Sequence, residues 1–254
     1  MNKTVSILGC GWLGKSLAKD LLKTGYSVKG STTSSEKISD LKKLGITPFL
    51  IDISLDTEII EFLKADILII AITNKSIDDF KMLISKIENA DVKKLIFIST
   101  TSVYPQLNKV MTEKSETKNS PHFLIEELFR NNINFKSTVI RFGGLFGGDR
   151  HPANWFKDKR EIPQPDGFVN MIHRYDCVKI IQEILKQDCF GETFNACVNH
   201  HPTRREFYER VRKNKGIEPP IFKDEKELIW KIISSEKLQR KLGYTFKYNN
   251  LLKI

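Results

Sequence analysis

Long apolar runs and paired cysteines are both missing from the sequence, and their absence limits the kind of protein it encodes. The most apolar run, residues 67–72, is far shorter than the roughly 20 residues that a membrane-spanning helix needs. The four cysteines, Cys10, Cys177, Cys189 and Cys197, form no CxxC pair and have no spacing typical of a zinc site. We therefore expect a cytoplasmic protein with free thiols, no signal peptide, no membrane anchor and no bound metal.

Internal repeats, low-complexity segments and an excess of acidic residues are missing as well. The 254 residues suffice for one extended α/β domain, and the formal net charge is +10 at pH 7. Many basic residues near the end of the sequence, Lys231 among them, are interleaved with acidic ones, as on a solvated helix face. We therefore interpret the charge as surface composition, and a nucleic-acid footprint is the weaker interpretation.

Strand-like and helix-like patterns alternate along the chain. Short buried-strand patterns are each followed by a segment with helical spacing of its apolar residues. Helix starts are indicated at Ser76, Ser120 and Thr203, whose hydroxyl groups suit the N-cap position. The alternation predicts an α/β fold of Rossmann type. We expect a doubly wound parallel sheet over residues 1–145, and a small α/β substrate-side region over residues 146–254 that is interleaved with it in one compact unit.

Residues 9–14 read Gly-Cys-Gly-Trp-Leu-Gly, which is a G-x-G-x-x-G motif between a strand pattern and a helix pattern. Gly9 permits a tight turn, Gly11 lets the backbone approach a pyrophosphate, and Gly14 allows the helix to pack closely on the strand. The motif predicts a dinucleotide site. Its expected members are Gly9, Gly11, Trp12, Leu13 and Gly14.

An acidic residue is missing where the second strand ends, at the position where an acid would bind the adenosine ribose of NAD. The stretch carries hydroxyl groups instead, and Lys37 follows. These groups suit a 2′-phosphate better than a free diol, so NADP(H) is favoured and NAD(H) is the alternative. The residues expected at the cofactor are Ser31, Thr32 and Thr33. Capping of the next helix by Ser34 is compatible with either cofactor.

Three further motifs carry a family resemblance. They are residues 98–104 (Ile-Ser-Thr-Thr-Ser-Val-Tyr), residues 141–147 (Arg-Phe-Gly-Gly-Leu-Phe-Gly) and residues 170–176 (Asn-Met-Ile-His-Arg-Tyr-Asp). With the glycine motif they make the chain resemble the extended short-chain dehydrogenase/reductase superfamily, in its NAD-dependent epimerase/dehydratase-like branch. The resemblance covers nearly the whole chain and points to a short, atypical group.

The resemblance implies positions along the cofactor. Asp52 and Ile53 are then expected beside the adenine, and Thr100 takes the position of the hydroxyl that polarises the substrate. The residues expected along the cofactor past the fourth strand are Ala71, Ile72 and Thr73.

The Tyr-x-x-x-Lys pair of the superfamily is missing from the helix on which the resemblance places it. Aligning residues 126–128 (Glu-Glu-Leu) with the family's helix puts Lys118 at the tyrosine position and His122 at the lysine position, and no tyrosine lies between Tyr104 and Tyr175. His122 is a candidate for ribose binding or proton transfer, or else a polar surface residue. Tyr104 is a candidate phenol donor, or else it packs under the loop.

Glycine- and proline-rich loops over residues 143–165 are expected to face the substrate. Arg141, Arg150 and His151 are candidate contacts for an anionic group. The first functional hypothesis is an NADP(H)-dependent oxidoreductase or epimerase-like enzyme that acts on a small carbonyl or sugar-type substrate. The alternative is a non-catalytic NADP(H)-binding redox sensor, which the missing Tyr-x-x-x-Lys pair favours.

Overall fold

The structure is a computed structural model that describes residues 3–156 and 160–254. Its strands are β1 (Thr4–Leu8), β2 (Ser27–Thr32), β3 (Thr47–Leu50), β4 (Ile67–Ile70), β5 (Lys94–Thr100), β6 (Lys109–Met111), β7 (Lys136–Phe142), β8 (Gly144–Phe146), β9 (Met171–His173), β10 (Thr193–Ala196) and β11 (Lys231–Ile233). Its helices are α1 (Trp12–Lys23), α2 (Ile38–Lys43), α3 (Ile60–Leu63), α4 (Ile77–Glu88), α5 (Pro121–Arg130), α6 (Arg174–Lys186), α7 (Arg204–Asn214) and α8 (Glu236–Leu242).

A seven-stranded sheet carries the fold, with the strand order β10-β7-β5-β4-β1-β2-β3. β1 pairs in parallel with both β2 and β4, β2 pairs in parallel with β3, and β4 with β5. The chain therefore runs outward from β1 in one direction and returns to the other side of β1 with β4. This is the doubly wound Rossmann arrangement, so the expected fold class is confirmed.

Regular spacing of apolar residues explains how the helices cover this sheet. In α4, Phe80, Leu83, Ile84 and Ile87 recur at the helical period and are all buried. The ring of Phe80 lies edge-on to those of Phe97 and Phe129, at centroid distances of 5.8 Å in both cases. α4, α5 and the middle of the sheet thus share one apolar core.

The predicted helix starts are confirmed. Ser76 and Ser120 each accept a hydrogen bond from the backbone N–H three residues further on, and Pro121 occupies the first helical position of α5. Thr203 and Glu206 form a reciprocal capping box at the start of α7. These caps depend only on neighbours in sequence, which is why the sequence predicts them well.

The chain divides into two compact units. Unit 1 comprises residues 1–99, 119–140 and 184–193, and unit 2 comprises residues 100–118, 141–183 and 194–254. Neither unit is a continuous stretch, because the chain passes between them more than once. Unit 2 contains two small parallel strand pairs, β6 with β11 and β8 with β9, which the sequence did not predict as pairs.

Residues 3–156 and 160–254 contain neither a membrane-spanning helix nor a metal-binding cluster. No helix there is both long enough and apolar enough to cross a bilayer. No cluster of three or more His, Cys, Asp or Glu side chains there is arranged to hold a metal ion. All four cysteines are free thiols.

Candidate cofactor and substrate sites

The glycine motif forms a tight turn between β1 and α1, within unit 1. Gly9 has a φ of +100°, a conformation that L side chains rarely adopt. Its N–H donates to the Ser31 hydroxyl at 2.9 Å, and the N–H of Cys10 donates to the Ser31 carbonyl at 2.8 Å. α1 then begins at Trp12, with Gly11 at the N-cap position. The turn therefore places the N-terminus of a 12-residue helix at the carboxyl end of β1.

The three glycines differ in what a side chain would meet. A Cβ at Gly9 would lie 2.7 Å from the carbonyl oxygen of Ala71, and a Cβ at Gly14 would overlap the carbonyl oxygen of Gly9. A Cβ at Gly11 would meet no atom within 4 Å, and the backbone there has a φ of −77° and a ψ of −149°. The protein itself therefore requires glycine at positions 9 and 14. At position 11 a side chain would instead project into open space beside the start of α1.

Ser31 has a structural role in this turn, which corrects the expectation that its hydroxyl binds a 2′-phosphate. The residue is 1% exposed, and both its hydroxyl and its carbonyl accept hydrogen bonds from the glycine turn. Thr32 is half-buried and its hydroxyl accepts from the Ser34 N–H at 3.2 Å, whereas Thr33 is exposed. Ser34 makes no side-chain cap, contrary to expectation, because a short 3₁₀ turn precedes α2.

An acid does lie just beyond this stretch. Glu36 is exposed, and a hydrogen bond from the Ser34 side chain lowers the pKa of its carboxyl, with a smaller contribution from Lys37. Lys37 is exposed as well. The end of β2 thus exposes the Thr33 hydroxyl and the Lys37 amine, beside the Glu36 carboxylate, which accepts a hydrogen bond from the Ser34 side chain.

The residues expected beside the adenine and along the cofactor follow β3 and β4, also in unit 1. Asp52 is half-buried and accepts from the N–H and the hydroxyl of Ser54 at 3.0 and 2.7 Å, which lowers the pKa of its carboxyl. Ile53 packs at the margin of the apolar core, as does Ile72. The N–H of Ala71 donates to the carbonyl of Leu8 at 2.8 Å. Thr73, the next residue but one, is exposed.

These positions share one edge of the sheet. The register pairs Leu8 with Ile70, Ile7 with Gly30 and Thr32 with Leu50, so the parallel strands β1 to β4 end together. Ligands of doubly wound sheets bind beyond these carboxyl ends, where the strand order reverses. The reversal lies at β1, between β2 and β4, and the glycine turn follows β1 directly.

The candidate catalytic residues have different local settings. Thr100 ends β5, and its hydroxyl oxygen accepts from the Ser102 N–H at 3.1 Å. His122 is the second residue of α5 and is half-buried. Lys118 precedes the helix, which begins only at Pro121, so the helical i, i+4 relation that the alignment gave to Lys118 and His122 is wrong.

Tyr104 and Arg141 are buried together in unit 2, in agreement with the packing alternative for Tyr104 and contrary to the expected role of Arg141 as an anion contact. Tyr104 has no exposed surface, and Arg141 is 2% exposed. The Tyr104 hydroxyl accepts from Arg141 Nη1 at 2.6 Å and donates to Asn195 Oδ1 at 2.8 Å. Burial raises the pKa of the phenol, and the charge of Arg141 opposes this rise. A phenol so enclosed does not face a substrate, and this guanidinium does not face a solvent anion.

The remaining predicted anion contacts lie in the loop after β8. His151 caps a short 3₁₀ turn: its Nδ1 accepts from the Ala153 N–H at 3.2 Å, and burial lowers the pKa of the imidazole. The hydrogen bond engages Nδ1 alone, so the role of His151 as an anion contact stays a prediction. Arg150 is exposed. Of the loop over residues 143–165, residues 157–159 lie outside the described residues.

Comparison with known protein families shows which family this chain belongs to. A family model described as NAD(P)H-binding matches residues 9–188. The chain belongs to this NAD(P)H-binding family. Protein YeeZ of Escherichia coli strain K12 is 29% identical over 265 residues, which cover 97% of this chain and 96% of YeeZ.

Solved structures agree with this membership at the level of the fold. A conserved protein of unknown function from Silicibacter pomeroyi superposes with a TM-score of 0.84 at 17% identity, covering 99% of this chain and 96% of its own. A UDP-glucuronic acid 4-epimerase from Bacillus cereus, solved in complex with NAD, superposes with a TM-score of 0.79 at 17% identity, covering 98% and 95%. The resemblance stated from the motifs is thereby confirmed.

In this NAD(P)H-binding chain, one contact that anchors α5 could not be predicted from the sequence. Glu126 is fully buried in unit 1 and accepts a hydrogen bond from the Ser99 hydroxyl. The contact ties α5, the helix that carries His122, to the end of β5. A glutamate in a helical pattern is usually exposed, and only its apolar neighbours Ile125 and Phe129 hint at burial.

Lys231 is the second residue that the sequence misplaced. It lies in β11 and is half-buried, not on a solvated helix face as expected. Its Nζ donates to the carbonyl oxygens of Tyr104 and Thr101 at 2.6 and 3.1 Å. Burial and the neighbouring charge of Lys118 lower the pKa of this amine to about 8.

Proposed function

We propose that this protein binds NADP(H) in preference to NAD(H) and acts as an oxidoreductase or epimerase-like enzyme on a small carbonyl or sugar-type substrate. The open space at Gly11, in front of the N-terminus of α1, is the observation that supports cofactor binding most directly. The preference for NADP(H) is supported by the hydroxyl-bearing end of β2 and by the exposed Thr33 and Lys37.

Different segments of unit 1 would bind different parts of the cofactor. The glycine turn would receive the pyrophosphate, Asp52 and Ile53 the adenine, and the residues from Ala71 to Thr73 the part beyond β4. When bound, the nicotinamide ring supplies a hydride donor or acceptor.

Thr100 and His122 are the two candidates for the chemistry, and the burial of Tyr104 supports leaving that phenol out. Thr100 would donate its hydroxyl hydrogen to a substrate carbonyl oxygen, since its oxygen already accepts from the Ser102 N–H. His122 would bind the nicotinamide ribose or exchange a proton with the substrate.

NADPH should bind more tightly than NADH, by about tenfold or more, since a single charge-assisted hydrogen bond to the extra phosphate contributes about 1.5–3 kcal/mol. Titration calorimetry with each cofactor tests this. The variants Thr33→Ala and Lys37→Met should weaken NADPH binding and leave NADH binding unchanged. An affinity for NADH equal to that for NADPH would contradict the assignment of the end of β2.

Turnover should be low or undetectable with simple alcohols, aldehydes and common nucleotide sugars, because α5 and the segment before it carry no Tyr-x-x-x-Lys pair to exchange the proton. On any substrate that does react, Thr100→Val should lower kcat by about 100-fold, and His122→Ala should lower kcat or raise KM. Tyr104→Phe should change stability and leave kcat nearly unchanged. The measurement is NADPH oxidation across a panel of carbonyl compounds. Strong turnover that survives both Thr100→Val and His122→Ala would refute these roles.

A non-catalytic redox sensor is the second candidate, and the burial of Tyr104 is the observation that favours it. With that phenol enclosed, the segment between residues 104 and 175 offers no tyrosine for proton transfer. Intact cofactor binding together with no turnover across a broad panel would favour this function over the enzyme.

A further inference from the structure

The turn after β5 is held by an amine that reaches it from a distant part of unit 2. Lys231 Nζ donates to the carbonyl oxygens of Thr101 and Tyr104, which lie 130 and 127 residues earlier in the sequence. These two bonds use two of the three hydrogens that an ammonium group donates. The turn they hold begins at Thr100, whose hydroxyl oxygen accepts from the Ser102 N–H.

A second lysine lies against the same turn. The backbone N–H of Lys118 donates to the carbonyl oxygen of Val103 at 2.9 Å, and its side chain is exposed. The backbone of Lys118 therefore contacts the same turn that Lys231 holds, and the positive charge of Lys118 adds to burial in lowering the pKa of the Lys231 amine. Acids of the same segment are engaged elsewhere: Glu113 accepts from the Asn195 N–H, and Glu116 pairs with Lys109 at 3.4 Å.

Two positive charges lie at one turn, and one of them is partly desolvated. Both conditions raise the free energy of the protein, and binding of an anion would lower it. We propose that Lys118 and Lys231 form a binding site for the carboxylate or phosphate group of a small ligand, at the turn that begins at Thr100. Both lysines belong to unit 2, and so does the whole turn.

In this proposal, Lys118 and Lys231 bind the anionic group that Arg141 and His151 were expected to contact. Arg141 is bonded to a buried phenol and His151 caps a turn, whereas the Lys118 side chain is exposed and Lys231 retains one ammonium hydrogen beyond its two carbonyl bonds. An ammonium binds an anion as a point charge without requiring bidentate geometry, so carboxylate and phosphate are both suitable.

Amide NMR titration of the full-length protein tests the proposal. Inorganic phosphate and oxalate are added in separate series at constant ionic strength, with sodium chloride alone as the reference series. The proposal predicts saturable shifts of the Thr101 to Tyr104 amides, and the series that saturates at lower concentration identifies the preferred anion. Lys118→Met should weaken this binding by about tenfold, and Lys231→Arg should retain it.

Lys114→Met is the matched control, because Lys114 is an exposed lysine of the same segment and its loss should leave the binding unchanged. Shifts that rise linearly without saturation, or that are equal in Lys118→Met and Lys114→Met, would overturn the proposal. Lys118→Met keeps the result interpretable even if Lys231 variants fold poorly, because only the backbone of Lys118 makes the bond to the turn. A separate titration with NADPH, observed at the amides of residues 9–14, tests the cofactor site independently.

Discussion

Gly11→Val should abolish binding of both NADPH and NADH while the protein keeps its fold. The backbone at Gly11 has a φ of −77°, and a Cβ there would meet no protein atom within 4 Å. The side chain would instead fill the space at the N-terminus of α1 where the pyrophosphate is expected. We expect at least about a 100-fold loss of affinity, since the pyrophosphate would lose several charge-assisted hydrogen bonds at once. Calorimetry measures the affinity, and thermal unfolding measures the stability.

Gly14→Ala is the matched variant. It is expected to lower the stability of the protein, which Gly11→Val should leave unchanged. A Cβ at Gly14 would overlap the carbonyl oxygen of Gly9, so α1 must move away from β1. Overpacking of this kind costs about 1–3 kcal/mol, which lowers the melting temperature by roughly 2–4 °C per kcal/mol in a chain of this size. Normal cofactor binding by Gly11→Val would show that the turn has only a structural role. A loss of stability in Gly11→Val equal to that in Gly14→Ala would contradict the open space at Gly11.

Most features that depend on neighbouring residues were predictable from the sequence, and the cap expected at Ser34 is the exception. The helix caps at Ser76, Ser120 and Thr203 each involve a backbone N–H three residues away, and all three are present. The fold class follows from alternating apolar periods, which are local as well. Ser120 and Pro121 also show where α5 begins. The same signal therefore excludes Lys118 from the helix, although the alignment with the superfamily had placed it there.

Features that depend on distant partners were not predictable. The Ser31 hydroxyl accepts a hydrogen bond from the N–H of Gly9, 22 residues earlier. The Tyr104 hydroxyl donates one to Asn195, 91 residues later. Lys231 is bonded to a turn about 130 residues away. Nothing in the sequence near these residues distinguishes them from exposed polar side chains. Their true roles follow only from the strand order and from the pairing of short strands such as β6 and β11.

Arg141→Ala should cause the largest loss of stability among single substitutions in unit 2. The guanidinium lies 5.0 Å from the centroid of the Tyr104 ring, and its Nη1 donates to the Tyr104 hydroxyl. Removing a fully enclosed side chain of this size leaves a cavity and deprives a buried hydroxyl of a charged partner. Together these effects cost about 3–5 kcal/mol. Tyr104→Phe keeps the ring and removes only the hydroxyl, so about 1–3 kcal/mol is expected. Chemical denaturation measures both.

Arg210→Ala provides the control, because Arg210 is exposed and its loss should change stability by less than about 0.5 kcal/mol. The double variant Arg141→Ala/Tyr104→Phe should lose less stability than the sum of the two single variants, because both remove the same hydrogen bond. Strict additivity would mean that the two side chains are not coupled. If Arg141→Ala were as mild as Arg210→Ala, the guanidinium would be accessible to solvent, and Arg141 would again be a candidate contact for an anionic substrate.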